Sequence, residues 1–359
     1  MLKPSVGVAA THELFPCVIK DVESGVYVAE CQVPVIESLG HVQLVIDNNV
    51  MGALKESPLL FARLGWLLGG ACRSAIGATL TINPFFVIAE QYLSNPDNAL
   101  AKIEAFTQHA GVFGTFTPDH GKTLLAEIRQ NEQALRSQVG TLVCYFFVMR
   151  EIYRQTHTHE ERIRRWVSYF QEDVPRLMLV YVMGMLFFFG REDEKMRFKT
   201  TDRPVRAWAD AFLTPRKKEV DDPASWVRNR VFDLLPFLMA PTLNWETHGG
   251  IPGRLFVLSK DKDVGECLLR IFAWHGDQKA NSLWKLQTNL ECLHFEAHTQ
   301  FQSTALSPPE ARPTTPGDRA LRMRRLIDVS LGLLPAREQG ELLAALNAFR
   351  WFDSPDVTG

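Results

Sequence analysis

No CxxC pair occurs among the six cysteines; Cys17, Cys31, Cys72, Cys144, Cys267 and Cys292 are scattered along 359 residues. That scatter excludes a zinc ribbon and a disulfide-stapled miniature fold. With no secretory leader evident, the expectation is free, mostly buried thiols in a reducing cytoplasm. His157 and His159 stand two apart in THTHEER with no cysteine near them in sequence, which fits a polar helix start better than a zinc site. Long hydrophobic runs are lacking too. The most apolar stretch, LMLVYVMGMLFFFG from Leu177 to Gly190, lies between Arg176 and Arg191. It falls short of the roughly 20 residues that a spanning helix needs, so a buried helix and no membrane partner are expected. There is no excess of positive charge either: the net charge is -2. This excludes a uniformly basic nucleic-acid binder and leaves room for a local basic patch. Nor is there a phosphate loop, because DHGKT at 119–123 has Phe116 where that motif needs its first glycine.

What is present is ordinary globular material, 46% hydrophobic and 22% charged. The length suits one large domain or two ordinary ones. Residues 24–36, SGVYVAECQVPVI, alternate as a strand does, and HVQLVI at 41–46 reads as a strand buried on both faces. A helical stretch follows from Met51 to roughly Leu68, then a strand, ATLTI, at 78–82. Asn83-Pro84 has the form of a helix cap followed by a first-turn proline, opening the helix FFVIAEQYL. From 99 to 200 the pattern is helical almost throughout, with apolar residues three and four apart. Residues 199–222 are polar, with TPRKKEVDDP marking a loop. Asp222-Pro223 then opens a second capped helix, ASWVRNRVFDLLPFLMA, that contains Pro236. NWETHGGIPG reads as a loop, RLFVLS at 254–259 as a strand, and KDKDVGECLLRIFAWHG as the lead into a helix. Residues 303–317 form a proline-rich linker before a helical tail from Asp318 to Phe352. Alternating strands and helices imply a parallel sheet with helices on its faces.

Four acids fall at the ends or faces of these elements. Asp47 ends the buried strand in LVIDNNV, and Asp261 follows RLFVLS, with Asp263 two residues on. The carboxyl ends of parallel strands are where open sheets bind ligands. Glu90 and Asp233 each interrupt an apolar helix, where a carboxylate loses hydration unless a cation or a partner compensates it. Clustered carboxylates suit Mg²⁺ or Mn²⁺. Such ions activate water and stabilise a leaving oxygen in phosphodiester cleavage. A plainer reading stands beside this one. Asp47, Asp261 or Asp263 would cap helices, and Glu90 and Asp233 would pair with arginines, Arg228 and Arg230 being near Asp233 in sequence.

These segments resemble the motifs of PIN-like nucleases. LVIDNNV is similar to the opening signature, with Asp47 and then Asn49 two residues later. INPFFVIAEQY resembles the second motif through Glu90, VRNRVFDLLPFLMA the third through Asp233, and LFVLSKDKDV the fourth through Ser259 and Asp261. The resemblance spans 42–98 and 223–275, about a third of the chain. It departs from the family at Asn48, a second asparagine inside the first motif, and at the long helical block between the second and third motifs. The resemblance implies an α/β fold: a three-layer α/β/α PIN-like parallel sheet with a large helical insertion and a helical C-terminal tail. The parts are then a first half of the nuclease core with an N-terminal extension (1–98), the insertion (99–222), the second half of the core (223–302), and linker and tail (303–359). It further implies a cytoplasmic Mg²⁺- or Mn²⁺-dependent nuclease that hydrolyses RNA, or single-stranded DNA. Asp47, Glu90, Asp233 and Asp261 would hold the metal, with Asp263 assisting and Asn49 and Ser259 in support. The insert would restrict which nucleic acid enters, as a toxin or defence effector requires.

Basic residues interleaved with aromatics offer a nucleic-acid surface: Arg150, Arg154, Arg164 and Arg165 in the helical block, with Lys217 and Lys218 ahead of the Asp233 helix. The competing reading is a catalytically inactive helical protein that binds nucleic acid or another protein. An inhibitory protein partner and a homo-oligomer remain open.

Overall fold

In a computed structural model of the chain, the structure describes residues 18–29, 32–33, 40–57, 59–71, 79–110, 118–155, 158–189, 195–197, 202–215, 222–239, 247–248, 251–252, 254–261, 264, 272–276, 284–288 and 316–351. The elements before the long helical block are β1 (Val18–Lys20), β2 (Tyr27–Ala29), β3 (Gln32–Val33), β4 (His41–Val45), α1 (Asn48–Glu56), α2 (Leu60–Ala71), β5 (Thr79–Asn83), α3 (Phe85–Ser94), α4 (Pro96–Ala110) and α5 (Pro118–Gln130). Next come α6 (Glu132–Gln155), α7 (His159–Gln171), α8 (Met178–Phe189), β6 (Lys195–Arg197), β7 (Asp202–Pro204), α9 (Val205–Leu213) and α10 (Pro223–Met239). The last are β8 (Thr247–His248), β9 (Ile251–Pro252), β10 (Arg254–Ser259), β11 (Phe272–Gly276), β12 (Trp284–Thr288), α11 (Pro316–Leu333) and α12 (Ala336–Ala348). The chain forms two compact units, Met1–Asn131 with Phe232–Asn289 and Glu132–Val231 with Leu290–Gly359.

The first unit carries a five-stranded sheet in the order β1-β2-β10-β4-β5. β10, β4 and β5 run parallel, as expected. β2 is antiparallel to both β10 and β1, so the sheet is mixed rather than wholly parallel. The cause is local. The Asp21 carboxylate accepts from the Ser24 backbone at 3.0 Å, and Gly25 adopts φ +73°, a conformation that favours glycine, so the chain reverses within a few residues. A turn that short can join only antiparallel neighbours. Arg63 on α2 pins the same carboxylate at 3.0 Å. Burial acts to raise the Asp21 carboxyl, but hydrogen bonds from Arg63 and Ser24 hold it below its ordinary value. The stretch read as one strand over 24–36 is divided: β2 joins the main sheet, while β3 pairs with β11 in a second sheet ordered β12-β11-β3. FAWHG, read as the lead into a helix, is the strand β11.

The helix expected from Met51 to Leu68 is two helices. Ser57 closes α1 in an extended conformation, φ -133° and ψ 94°, which is what a residue before proline prefers, and Pro58 follows it. α1 packs against β10 and α2 against β1. α4 and α5 pack on α3, so residues 99–131 cluster with the first unit, and the second begins at Glu132.

The second unit is built on α6. This helix is buried on every side from Val139 to Ile152 and packs against α7, α8, α9, α11 and α12. A helix with no wet face belongs at the centre of a bundle. Trp166, Tyr169 and Phe170 of α7 cluster around Tyr145, and the Trp166 indole donates to the Tyr181 carbonyl at 3.0 Å. α12 is fastened by charge: buried Arg150 donates to Glu338 and, at 3.0 Å, to Glu341, while Arg154 reaches Glu338 at 2.8 Å. Arg136 donates to the Phe349 carbonyl just beyond α12. Two glycines admit indoles. A Cβ at Gly184 would lie 2.5 Å from Trp166, and one at Gly140 would overlap the Trp351 ring. The polar segment 199–222 contains a helix that the sequence reading did not mark, α9, whose Val205, Trp208, Ala209, Phe212 and Leu213 face inward. Among the described residues no helix is long and apolar enough to cross a membrane.

Candidate active site

Sheet register brings the first two acids to one edge. β4 and β10 pair with Val45 beside Val257, so two residues further on Asp47 lies level with Ser259. The Ser259 hydroxyl donates to Asp47 Oδ2 at 3.3 Å and accepts from the Asp261 backbone N–H at 3.0 Å. Asp47 and Asp261 therefore sit on the same strand ends, linked through one hydroxyl. Each also steadies the chain beyond it. Asp47 is the cap of α1, its Oδ1 accepting from Val50 N at 2.7 Å. Asp261 Oδ1 accepts from Val264 N at 3.2 Å. The capping reading of Asp47 is thus met in the geometry; Asp261 makes a bond of the same kind to Val264, and the helix expected after it lies outside the described residues.

Burial pushes the Asp47 carboxyl up to about 6. Hydrogen bonds from Val50 and Ser259 oppose that shift, and the negative charge of Asp261 adds to it. Such a carboxylate gains from any cation brought near it.

Glu90 reaches this edge from the next strand. β5 pairs in parallel with β4, placing Asn83 beside Val45. Asn83 is fully buried; its Oδ1 accepts from Phe85 N at 2.9 Å and its Nδ2 donates to Gln43 at 2.7 Å. That amide aims α3 off the end of β5. The half-buried Glu90 of α3 accepts a hydrogen bond from Asn48 Nδ2. Asn49, the asparagine that the sequence pattern selects, is exposed, and its backbone N–H serves Asp47. The residue sequence reasoning passed over is Asn48. Its only signal is the doubled asparagine in LVIDNNV, read there as a departure from the pattern.

Asp233 is half-buried on α10, within the first unit. Among the described residues no three His, Cys, Asp or Glu side chains gather closely enough to hold a metal ion. Asp263, Lys217 and Lys218 lie outside the described residues. Of the basic set, Arg150 is 3% exposed and committed to Glu338 and Glu341, its guanidinium 4.7 Å from the Phe147 and Trp226 rings. It is a core residue, not a surface contact. Arg154 is exposed and paired with Glu338, while Arg164 and Arg165 are exposed and both paired with Glu161. Cys144 is a buried free thiol, pushed up to about 12 by burial; the other five cysteines lie outside the described residues.

The chain matches no protein-family model, no curated protein and no solved structure.

Proposed function

We propose that the protein is a PIN-like, Mg²⁺- or Mn²⁺-dependent nuclease acting on RNA or single-stranded DNA. The observation that carries this reading is the pairing of Asp47 and Asp261 at adjacent parallel strand ends, with Glu90 tethered beside them through Asn48. The donor set is entirely oxygen, which fits a hard divalent cation. Magnesium usually needs only one or two carboxylates, keeping waters and substrate phosphates in its other positions. Asp47 and Asp261 would hold the cation, and Glu90 is tied to Asn48, the residue that follows Asp47. When bound, the ion supplies a nucleophile at neutral pH and offsets charge on the leaving oxygen.

The chain's own groups set the stage for that chemistry. Ser259 orients Asp47 and leaves Asp261 fixed by its backbone, so both acids keep their places without the ion. The N-terminus of α1, just after Asp47, adds a partial positive charge suited to a phosphate oxygen. Asp233 and Asp263 complete the set that the resemblance implies. The basic surface is reduced to Arg154, Arg164 and Arg165, with Lys217 and Lys218 as further candidates.

The test is incubation of labelled RNA and single-stranded DNA with wild type and Asp47→Asn, with Mn²⁺ and with chelator. Cleavage by wild type in Mn²⁺ alone, lost in Asp47→Asn, is the expected result. A second reading has its own support: both acids already cap the segments that follow them, as they would in a non-catalytic interaction protein of this fold. Equal inertness of wild type and Asp47→Asn under all conditions would establish it.

A further inference from the structure

Resting on the cation-dependent reading of the strand ends, we infer that Asn48, rather than Asn49, is the asparagine that serves the site, positioning Glu90 through Nδ2 and offering Oδ1 to the divalent cation as an oxygen ligand.

Three observations carry this. A carboxylate can only accept, so the Asn48 amide must turn its nitrogen toward Glu90. Its oxygen is thereby directed away from Glu90, and Oδ1 is buried from solvent with no hydrogen-bond partner. A buried carbonyl oxygen left without a donor is destabilising, so its retention calls for something that occupies it. Finally, Asn48 is the first residue of α1, directly after Asp47, so its backbone starts at the strand end that carries the two acids. Hard oxygen donors, including side-chain amides, are what Mg²⁺ and Mn²⁺ accept. Asn49 has none of these features: its side chain is exposed.

The single amide thus does two things. It fixes the rotamer of an acid that enters from α3, and it adds a neutral ligand where a further carboxylate would raise the repulsion already felt by Asp47. Asn48 is a positioning residue with respect to Glu90.

The test uses the full chain without nucleic acid. Mn²⁺ is titrated calorimetrically into wild type, Asn48→Ala, Asn48→Asp and Asn49→Ala, well above the Asp47 titration, and thermal midpoints are recorded with and without the ion. Asn48→Ala should weaken Mn²⁺ binding by at least about tenfold, the scale of losing a group that holds a ligand in place. Asn49→Ala should stay within about twofold of wild type. Asn48→Asp places like charges face to face at Glu90, so its midpoint should fall without metal and rise more on adding Mn²⁺ than that of wild type. Equal affinity of Asn48→Ala and wild type overturns the role of Asn48 and leaves the cation reading standing. Should Asn48→Ala fail to fold, equal Mn²⁺-induced rises in wild type and Asn48→Asp overturn it instead. A wild type that takes up no Mn²⁺ removes the cation reading itself.

Discussion

Asp47 is ionisable, half-buried and hydrogen-bonded, and its pH behaviour follows from that setting. Its carboxyl is pushed from an ordinary 3.8 up to about 6 by burial, so between those values the native state holds a proton that the unfolded chain has released. Asp47 therefore contributes stability that is present below about pH 4, is lost as the pH rises to about 6, and then levels. Urea denaturation across that range checks this, and Asp47→Asn should flatten the slope while its amide oxygen keeps the α1 cap. On the cation-dependent reading proposed above, Mn²⁺ affinity should run the other way, falling below about pH 6 as protons compete for the same oxygens. At this scale the sequence was informative about which acids stand at the strand ends and silent about their neighbours. Asp47 and Ser259 are more than two hundred positions apart, and what joins them is strand register, which no local pattern encodes. Asn48 was hidden for the opposite reason. It sits beside an obvious residue, and only three-dimensional orientation separates it from Asn49.

Among the elements, α3 and α12 show how single polar side chains set helix positions. Asn83→Ala removes the amide that starts α3 and leaves the Gln43 oxygen short of a donor, which should lower stability by about 1–3 kcal/mol. It should also weaken Mn²⁺ binding, since Glu90 rides on that helix. Glu338→Ala breaks a pair in which the cation is buried and should cost about 3 kcal/mol. Emission from Trp166, Trp208, Trp226 and Trp351, all buried in the second unit, would report it as a lower urea midpoint. Most helices were legible from spacings of three and four, and the capped start of α10 from Asp222, whose carboxylate accepts from Ser225 N at 3.0 Å. α9 was not, because nine residues offer barely two turns of periodicity beside a strongly polar segment. β11 was missed because a short apolar run suits a strand and a buried helix equally, and β12, WKLQT, because five alternating residues are too short a signal.

For the whole molecule, the division into units could not be read from composition. The segment 99–131 looks no less helical than 132–155, yet it packs on α3, whereas the helical tail joins the unit built on α6. Only tertiary contacts decide such membership. The parallel core of the sheet was anticipated and its antiparallel margin was not, because β1 and the Asp21–Gly25 reversal precede or only just enter the segment 24–36 in which the alternation is seen. Charge at this scale shapes the functional expectation. With Arg150 withdrawn into the core, the nuclease reading leaves Arg154, Arg164 and Arg165 as the described members of its basic set that can meet a polyanion. The logarithm of RNA affinity should accordingly fall with the logarithm of salt concentration at a slope shallower than about -3, measured by fluorescence anisotropy with catalysis blocked by chelator. Gly140 and Trp351 leave a different imprint on this chain. One supplies the recess that the other fills, so a methyl group at the first site becomes tolerable only once the second has been trimmed. Alanine at 140 should be harmful alone and milder beside a small residue at 351, and the two positions are bound to drift together or not at all.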